Sequence, residues 1–540
     1  MKVHMYDCYC YIKALDFWSL YVIVLKDPKI NLFSQKQMIP YIILAIFFGL
    51  WYYFTKKPSV PKGLKTLPSP PGARFYYGHY GLLGAKPHET LTKWAQELNS
   101  EIYSIKMGRL NFIILNTDKV VGDLLQKRGA IYSSRLDSEY FFQCAFRGAS
   151  LGSCPYNDYF KKARAIIVGI FSLQQIERQS SLIDKVTKEM LSEIIYTSTA
   201  SSNFSLSNPE PINPRSYIRR TTLNIILTVI AGLYTKSIDD PLFKRMDKWV
   251  DDVMKFLSNV NRKLDYFPIL KYHPGNKLKK EATGIRDETD SLVGEFLENI
   301  KSGKNKNPCA MREIYERGDL KDYEIIHLLA STIIAGTVDT VASSITWLLA
   351  FLANNPSFQE QAHKELDTFL PNHDRFPTPN DSKNLPYIRA LIREGQRVYP
   401  PGWLGVHHYV EQDDVYNGYH IPANSLLFIN MHAISFDEKR HKNAKEFDPY
   451  RFIDIEQSMA NLANGPAEKR DHFTFGSGRR LCAGIHLAEY ELFIILSRIL
   501  YCFHIENASP TGEDGKPIPI DLSKSTSGLT VWPIDYNIRF

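Results

Sequence analysis

The chain has 540 residues, is 44% hydrophobic and 23% charged, and carries a formal net charge of +7. That composition excludes a chain disordered throughout, and without a C2H2 spacing or a long Lys/Arg stripe the mild positive charge gives no support to nucleic-acid binding. Seven cysteines, few and widely spaced, argue against a disulfide framework and for a reducing compartment, and Cys8 and Cys10 match no metal spacing.

The first element in chain order is apolar. Between Lys36 and Lys56 lie 19 uncharged residues, Gln37 to Thr55. A bilayer core of roughly 30 Å needs about 20 helical residues, so residues 38–55 are expected to form a transmembrane anchor. Trp51, Tyr52 and Tyr53 would lie at the interface, and Lys56, Lys57, Lys62 and Lys65 follow. Lysines 26, 29 and 36 precede the segment, so the charge asymmetry is weak. A start at Met38 would make residues 1–37 an extension and put all nearby charge after the helix, leaving the body in the cytosol. Residues 56–72 are rich in proline, which fixes φ, and read as a stiff linker. From residue 73 to 540 there is no comparable break and no internal repeat, and one large domain is expected.

That domain reads as mainly helical. Strand-like runs are short, at 101–106, 112–115 and 425–429. Helices are expected at about 357–370, 384–399 and 483–502. The longest segment starts at Asp322, the expected cap, and ends at Pro356, with apolar residues at spacings of three and four. At 1.5 Å per residue it would run roughly 45–50 Å, enough to cross a domain. The expected fold class is mainly α, with small β-sheets at one side.

Four motifs carry chemistry. In Phe475-Gly-Ser-Gly-Arg-Arg-Leu-Cys-Ala-Gly484, glycines bracket a single cysteine. Gly476, Gly478 and Gly484 allow a tight loop whose backbone N–H groups can face a thiolate at Cys482. The helix that follows adds its positive N-terminal end. Arg480 can pair with a carboxylate, and Phe475 can cover the sulfur. The pattern FGxGxRxCxG is matched at every fixed position. On these residues the sequence resembles the cytochrome P450 family, a fungal-like microsomal type, over nearly the whole chain. The resemblance implies the P450 fold and haem b, with Cys482 as axial iron ligand; such a thiolate favours O–O cleavage.

The second motif is Glu394-Gly-Gln-Arg397, which puts Glu and Arg on one helix face. Alone it would be a surface ion pair. With Phe447-Asp-Pro-Tyr-Arg-Phe452 downstream, the resemblance implies a buried triad of Glu394, Arg397 and Arg451 that fixes the haem-binding loop. Tyr450 stands where the family has glutamate, outside the triad. The third is Ala335-Gly-Thr-Val-Asp-Thr340, set against the family's small-Gly-x-acid-Thr. One frame makes Asp339-Thr340 the acid-Thr pair; the other, one residue back, restores Ala335-Gly336 and puts Val338 at the acid. The first keeps both reactive side chains and is preferred. In it a widened helix turn accommodates O₂ and water, Thr340 hydrogen-bonds dioxygen and Asp339 relays protons. The bland alternative is a polar pair bonding back to helix carbonyls. The fourth is Phe160-Lys-Lys-Ala-Arg164, similar to the family's WxxxR, with Phe160 packing and Arg164 reaching a haem propionate; otherwise it is a solvated basic face.

No GxGxxG, GxxxxGK[ST] or HExxH occurs, so electrons must come from a partner. The resemblance implies NADPH–cytochrome P450 reductase, with cytochrome b5 as a further partner. Lys161, Lys162, Lys439, Arg440, Lys442 and Arg479 are candidates for the docking face. The expected activity is insertion of one oxygen atom of O₂ into a lipophilic small molecule, at the endoplasmic reticulum membrane with the body facing the cytosol. The alternatives are a haem-thiolate isomerase or dehydratase and a haem sensor without turnover. Pocket walls are expected from about 128–155, 225–265, the face of 328–340, 401–407 and 525–532, where Phe141, Phe142, Leu329, Ile333, Trp403 and Leu529 suggest an apolar cavity.

Overall fold

Proline at the first turn opens several helices here, where its missing N–H has no intrahelical partner to lose. The first is α1 (Pro87–Glu97). The structure, a computed structural model, describes residues 60–199, 209–258, 263–512 and 515–540, with positions 40, 44 and 49 before them. After α1, strands β1 (Ile102–Met107) and β2 (Leu110–Leu115) pair antiparallel. Their Ile, Phe and Leu residues pack inward at the side of the helical body. Helices α2 (Asp158–Ile170), α3 (Ser180–Ser198), α4 (Arg215–Ala231), α5 (Pro241–Phe256) and α6 (Leu278–Lys301) follow. Asn157 caps α2 by accepting the Phe160 N–H at 2.9 Å.

The long segment forms the axis. It runs as α7 (Asp322–Ile333), a π-wound stretch at Ile334–Val338, and α8 (Thr340–Asn354). Pro356 starts α9 (Pro356–Phe369), and Pro386 starts α10 (Pro386–Val398). Strands β3 (His408–Tyr409) and β4 (Leu426–Ile429) complete a four-stranded sheet in the order β1-β2-β4-β3, with β2 and β4 parallel. The last long helix is α11 (Ile485–Cys502). Nearly every residue of α4, α8 and α11 is buried, and α8 packs against α4, α10 and α11, so the apolar core surrounds the axis. The expectation of a mainly helical fold with small sheets holds.

One expectation changes. Asp322 is not the cap: Lys321 is, and its backbone N–H is taken by Glu324 Oε2 at 2.8 Å, because a carboxylate at the third helical position can reach back. The proline-rich stretch, expected as a stiff linker, is held by hydrogen bonds in its second half. Lys65–Thr66 pairs parallel with 419–420, and the Pro68 carbonyl accepts the Ser104 N–H at 2.8 Å, because proline leaves its carbonyl free to bond. Residues 1–37, 56–59 and the anchor at 38–55, apart from positions 40, 44 and 49, lie outside the described residues; among the described residues no helix is long and apolar enough to cross a membrane.

Candidate active site

The cysteine loop is built as its glycines require. Gly476 and Gly478 have φ of +73° and +64°, and a Cβ on Gly478 would lie 2.0 Å from the Leu125 carbonyl oxygen, so no other residue fits there. The Cys482 N–H donates to the Phe475 carbonyl at 2.9 Å and closes the loop. Gly484 then caps α11. The thiol is open to an internal cavity yet surrounded by protein. Burial raises its pKa; the Gly484 N–H and the Arg164 charge oppose the rise.

The cavity is lined by Phe475, Gly476, Leu481, Cys482 and Gly484 from the loop, Leu487, Ala488 and Leu492 from α11, and Thr332, Gly336, Thr340 and Ser344 from the axial helix. These four helix residues stand four apart, one per turn, on a single face. Four of the five expected wall segments, 128–155, 225–265, 328–340 and 401–407, line the cavity, but the six residues named in them and in 525–532 are corrected here. Phe141, Phe142, Leu329 and Ile333 are buried in the core, Trp403 stacks on His88, and none of the six, Leu529 included, lines the cavity. The helix turns the face of its large apolar residues to the core, while its small and hydroxylated residues face the cavity. Leu151, Ile226, Pro401, Leu404 and Val406 supply the apolar wall instead.

The lining carries three arginines, Arg135, Arg164 and Arg480, and His408, with no Asp or Glu beside them. Arg480 stacks on Phe160, 3.6 Å from the ring centroid, and donates to the carbonyls of Ser133, Leu151 and Cys154 at 2.6, 3.2 and 2.7 Å. Phe160 therefore does pack, as expected, and it packs under Arg480. Arg164 faces the cavity, so it does not belong to a solvated face. His408 Nδ1 is 2.8 Å from the Tyr132 carbonyl, which leaves Nε2 for the cavity; burial, Arg135 and Arg480 hold its pKa well below the ordinary value. An apolar cavity with an enclosed thiol and a basic lining that includes no Asp or Glu suits a flat, largely apolar dianion with a thiolate-seeking metal. Haem b, with two propionates, is such a group. Arg135 and His408 had no spacing signal in the sequence; only the fold brings them beside Arg164 and Arg480.

On the axial helix Thr340 lines the cavity and Asp339 does not. The Thr340 hydroxyl donates to the Gly336 carbonyl at 2.7 Å, so its lone pairs are left toward the cavity. The π-wound stretch realises the widened turn, and a Cβ on Gly336 would lie 2.6 Å from Ile226 Cδ1. Asp339 is buried; burial raises its pKa, and Arg219 and Thr530 oppose the rise.

Glu394, Arg397 and Arg451 meet. Arg397 donates to Glu394 Oε2 at 2.7 Å and Oε1 at 2.6 Å, and its other N–H groups go to the carbonyls of Ser435, Ala444 and Glu446. Arg451 Nε and the Asp448 N–H reach Glu394 Oε1 at 3.0 and 2.8 Å. The Thr474 hydroxyl donates to the Gln396 carbonyl at 3.2 Å, which ties this network to the cysteine loop. Tyr450 is exposed, outside the triad. Of the basic candidates for docking, Lys161, Lys162, Lys439, Lys442 and Arg479 are exposed, but Arg440 is largely buried in an ion pair with Asp118 and drops out of that face.

A family model described as cytochrome P450 matches residues 68–529. A cytochrome P450 monooxygenase of Hypocrea virens, virE, is 31% identical over 494 residues, 88% of this chain and 84% of that protein. Cytochrome P450 monooxygenase 231 of Postia placenta is 28% identical and covers 94% of both chains. Among solved structures, a zebra fish cytochrome P450 with abiraterone superimposes with a TM-score of 0.69 at 20% identity, over 84% of this chain and 98% of that one.

Proposed function

The chain belongs to the cytochrome P450 family and is a haem monooxygenase of fungal type, and from that premise we propose that Cys482 ligates the haem iron while Arg135, Arg164, Arg480 and His408 hold the propionates. When bound, the haem supplies the oxygen-activating centre, with the thiolate donating electron density to iron. The observation that carries the reading is the enclosed Cys482 thiol facing a cavity whose charged lining is entirely basic.

The protein's own groups act around that centre. The Gly484 N–H and Arg164 stabilise the thiolate charge. Thr340 offers hydroxyl lone pairs to the cavity, and Asp339 passes protons toward it from the opposite side of the helix. Leu151, Ile226, Pro401, Leu404 and Val406 exclude water and favour a lipophilic small-molecule substrate. Electrons come from NADPH through a cytochrome P450 reductase, with cytochrome b5 as a further donor. Exposed Lys161, Lys162, Lys439, Lys442 and Arg479 form the docking face. Residues 38–55 anchor the protein in the endoplasmic reticulum membrane, with the body in the cytosol.

The test combines the protein with reductase, NADPH and a panel of sterols, fatty acids, terpenoids and xenobiotics under isotopically labelled dioxygen. Substrate-dependent NADPH consumption with one labelled atom in the product is expected. Product without label, or no NADPH consumption with any ligand that binds, would replace this reading with an isomerase or a sensor.

A further inference from the structure

Five arginines border the segment that leads into the cysteine loop, Arg470 to Thr474, and none of the five lines the cavity at Cys482. Four of them have a carboxylate. Arg393 pairs with Asp471 at 2.8 Å, and both side chains are almost wholly buried. Arg397 and Arg451 share Glu394. Arg440 pairs with Asp118 through Nη1, and its Nη2 donates to the Arg470 carbonyl. The fifth, Arg470, is 3% exposed, and among the described residues none of its three guanidinium nitrogens has a hydrogen-bond partner. The carboxylate next to it in the chain is already taken: besides Arg393, Asp471 accepts the His472 N–H at 2.9 Å.

The Phe473 ring holds the guanidinium in place. The Arg470 guanidinium lies 4.4 Å from the ring centre, and that of Arg440 lies 5.7 Å from it. Contact with an aromatic ring uses the face of a guanidinium and leaves the N–H groups at its edge free.

Charge does not balance in this region. The five guanidiniums meet three carboxylates, Glu394, Asp118 and Asp471. Two buried histidines feel the surplus. Burial brings the pKa of His472 down to about 4, and Arg470, Arg393 and Arg440 add to the fall while Asp471 opposes it. Burial likewise brings His441 down to about 3, with Arg397, Arg440 and Arg451 adding. Arg470 itself falls to about 10, through burial first and Arg440 after it, with Asp471 opposing, so it stays charged near neutral pH. Buried water would satisfy its N–H groups but would not offset its charge, and an unpaired buried charge is strongly destabilising.

We propose that Arg470, held by the Phe473 ring and backed by Arg440, is an internal anion site, and that its ion is chloride. The burial of Arg470 shuts out a carboxylate of a partner protein and any phosphorylated molecule. One uncompensated cation calls for a monovalent ion. The haem propionates do not serve here, since Arg470, Arg440 and Phe473 all lie outside the cavity lining. The ion would neutralise the charge three residues before Thr474 and Phe475 are complete, where the Phe475 carbonyl takes the Cys482 N–H, so it steadies the cysteine loop from within.

The experiment follows thermal unfolding of the full-length holoprotein by circular dichroism, with sodium chloride exchanged for sodium gluconate at constant ionic strength. Gluconate is too large for the site. Above the dissociation constant each tenfold rise in chloride should lift the native midpoint by roughly 1–2 °C. Arg470→Met removes the charge and keeps a stem that packs on Phe473. Without chloride its midpoint should equal or exceed the native one, and it should not respond to chloride. A native midpoint indifferent to chloride overturns the proposal. So does a response that survives in Arg470→Met, or a variant less stable than the native protein without chloride, since Arg470 would then already have its partner. If Arg470→Met does not fold, crystals of the native protein soaked in bromide decide: an anomalous peak at the Arg470 guanidinium supports the site, and no peak there overturns it.

Discussion

Replacing Glu394 by Gln tests how the cysteine loop is held. Glu394 and Arg397 are wholly buried, and the carboxylate accepts four hydrogen bonds, two from Arg397, one from Arg451 and one from the Asp448 N–H. The amide keeps the shape but turns one acceptor into a donor facing a guanidinium, and it leaves two arginines without their counter-charge. Stranding a buried charge this way costs about 3–5 kcal/mol, whereas losing an exposed pair costs under about 1 kcal/mol. The larger figure is a factor of roughly 10² to more than 10³ in the folding equilibrium. Because Thr474 is bonded to the Gln396 carbonyl, the loop should loosen with the triad. Urea unfolding followed by circular dichroism, with haem retention measured in parallel, should show a clearly lower midpoint and earlier haem loss. A destabilisation below about 1 kcal/mol with haem retention intact would refute the reasoning, since it would place the triad with ordinary surface pairs.

Thr340→Ala should leave haem binding intact and divert NADPH to peroxide or water, measured as product formed per NADPH; unchanged coupling would remove Thr340 from the chemistry. His327 is fully buried against Asp290, and burial lowers its pKa from 6.5 to about 4. Between those values the unfolded chain takes up a proton that the folded one refuses, so stability falls as pH drops from about 6.5 to about 4, by a few kcal/mol at most. His327→Gln should flatten that part of the stability–pH curve. A cytosolic body predicts no glycan at Asn380, the exposed sequon, and digestion of the body by protease added to intact microsomes. Asn507 decides nothing here, since its side-chain N–H₂ donates to the Ile518 carbonyl at 2.8 Å, and Asn203 lies outside the described residues.

The parts of the site that were legible share one property: their geometry is local. The spacing from Gly476 to Gly484 dictates the loop, Glu394 and Arg397 share a helix face by periodicity, and the capped, proline-bounded segments became helices within a few residues of where they were expected. What was not legible depends on contacts between distant segments. Arg135 and His408 reach the cavity only because β3 and the segment before α2 are brought beside the cysteine loop. The wall segments were legible, but the particular side chains on the axial helix were misassigned, because its large apolar residues satisfy the core and its small and hydroxyl residues face the site. Arg440 looked like a surface charge and is paired with Asp118, 322 residues away in sequence. Asp339 was legible as one member of a pair with Thr340, but not its burial, which depends on how the axial helix packs.

The central claim is that Cys482 is the thiolate ligand of a haem, and the absorption spectrum of the reduced protein under carbon monoxide tests it most directly. The native protein should show the red-shifted Soret band of thiolate-ligated haem. Cys482→Ser should lose that band, because an alcohol is not ionised near neutral pH and cannot replace the thiolate. A thiolate-type band that survives in Cys482→Ser would contradict the account, since the ligand would then be another residue.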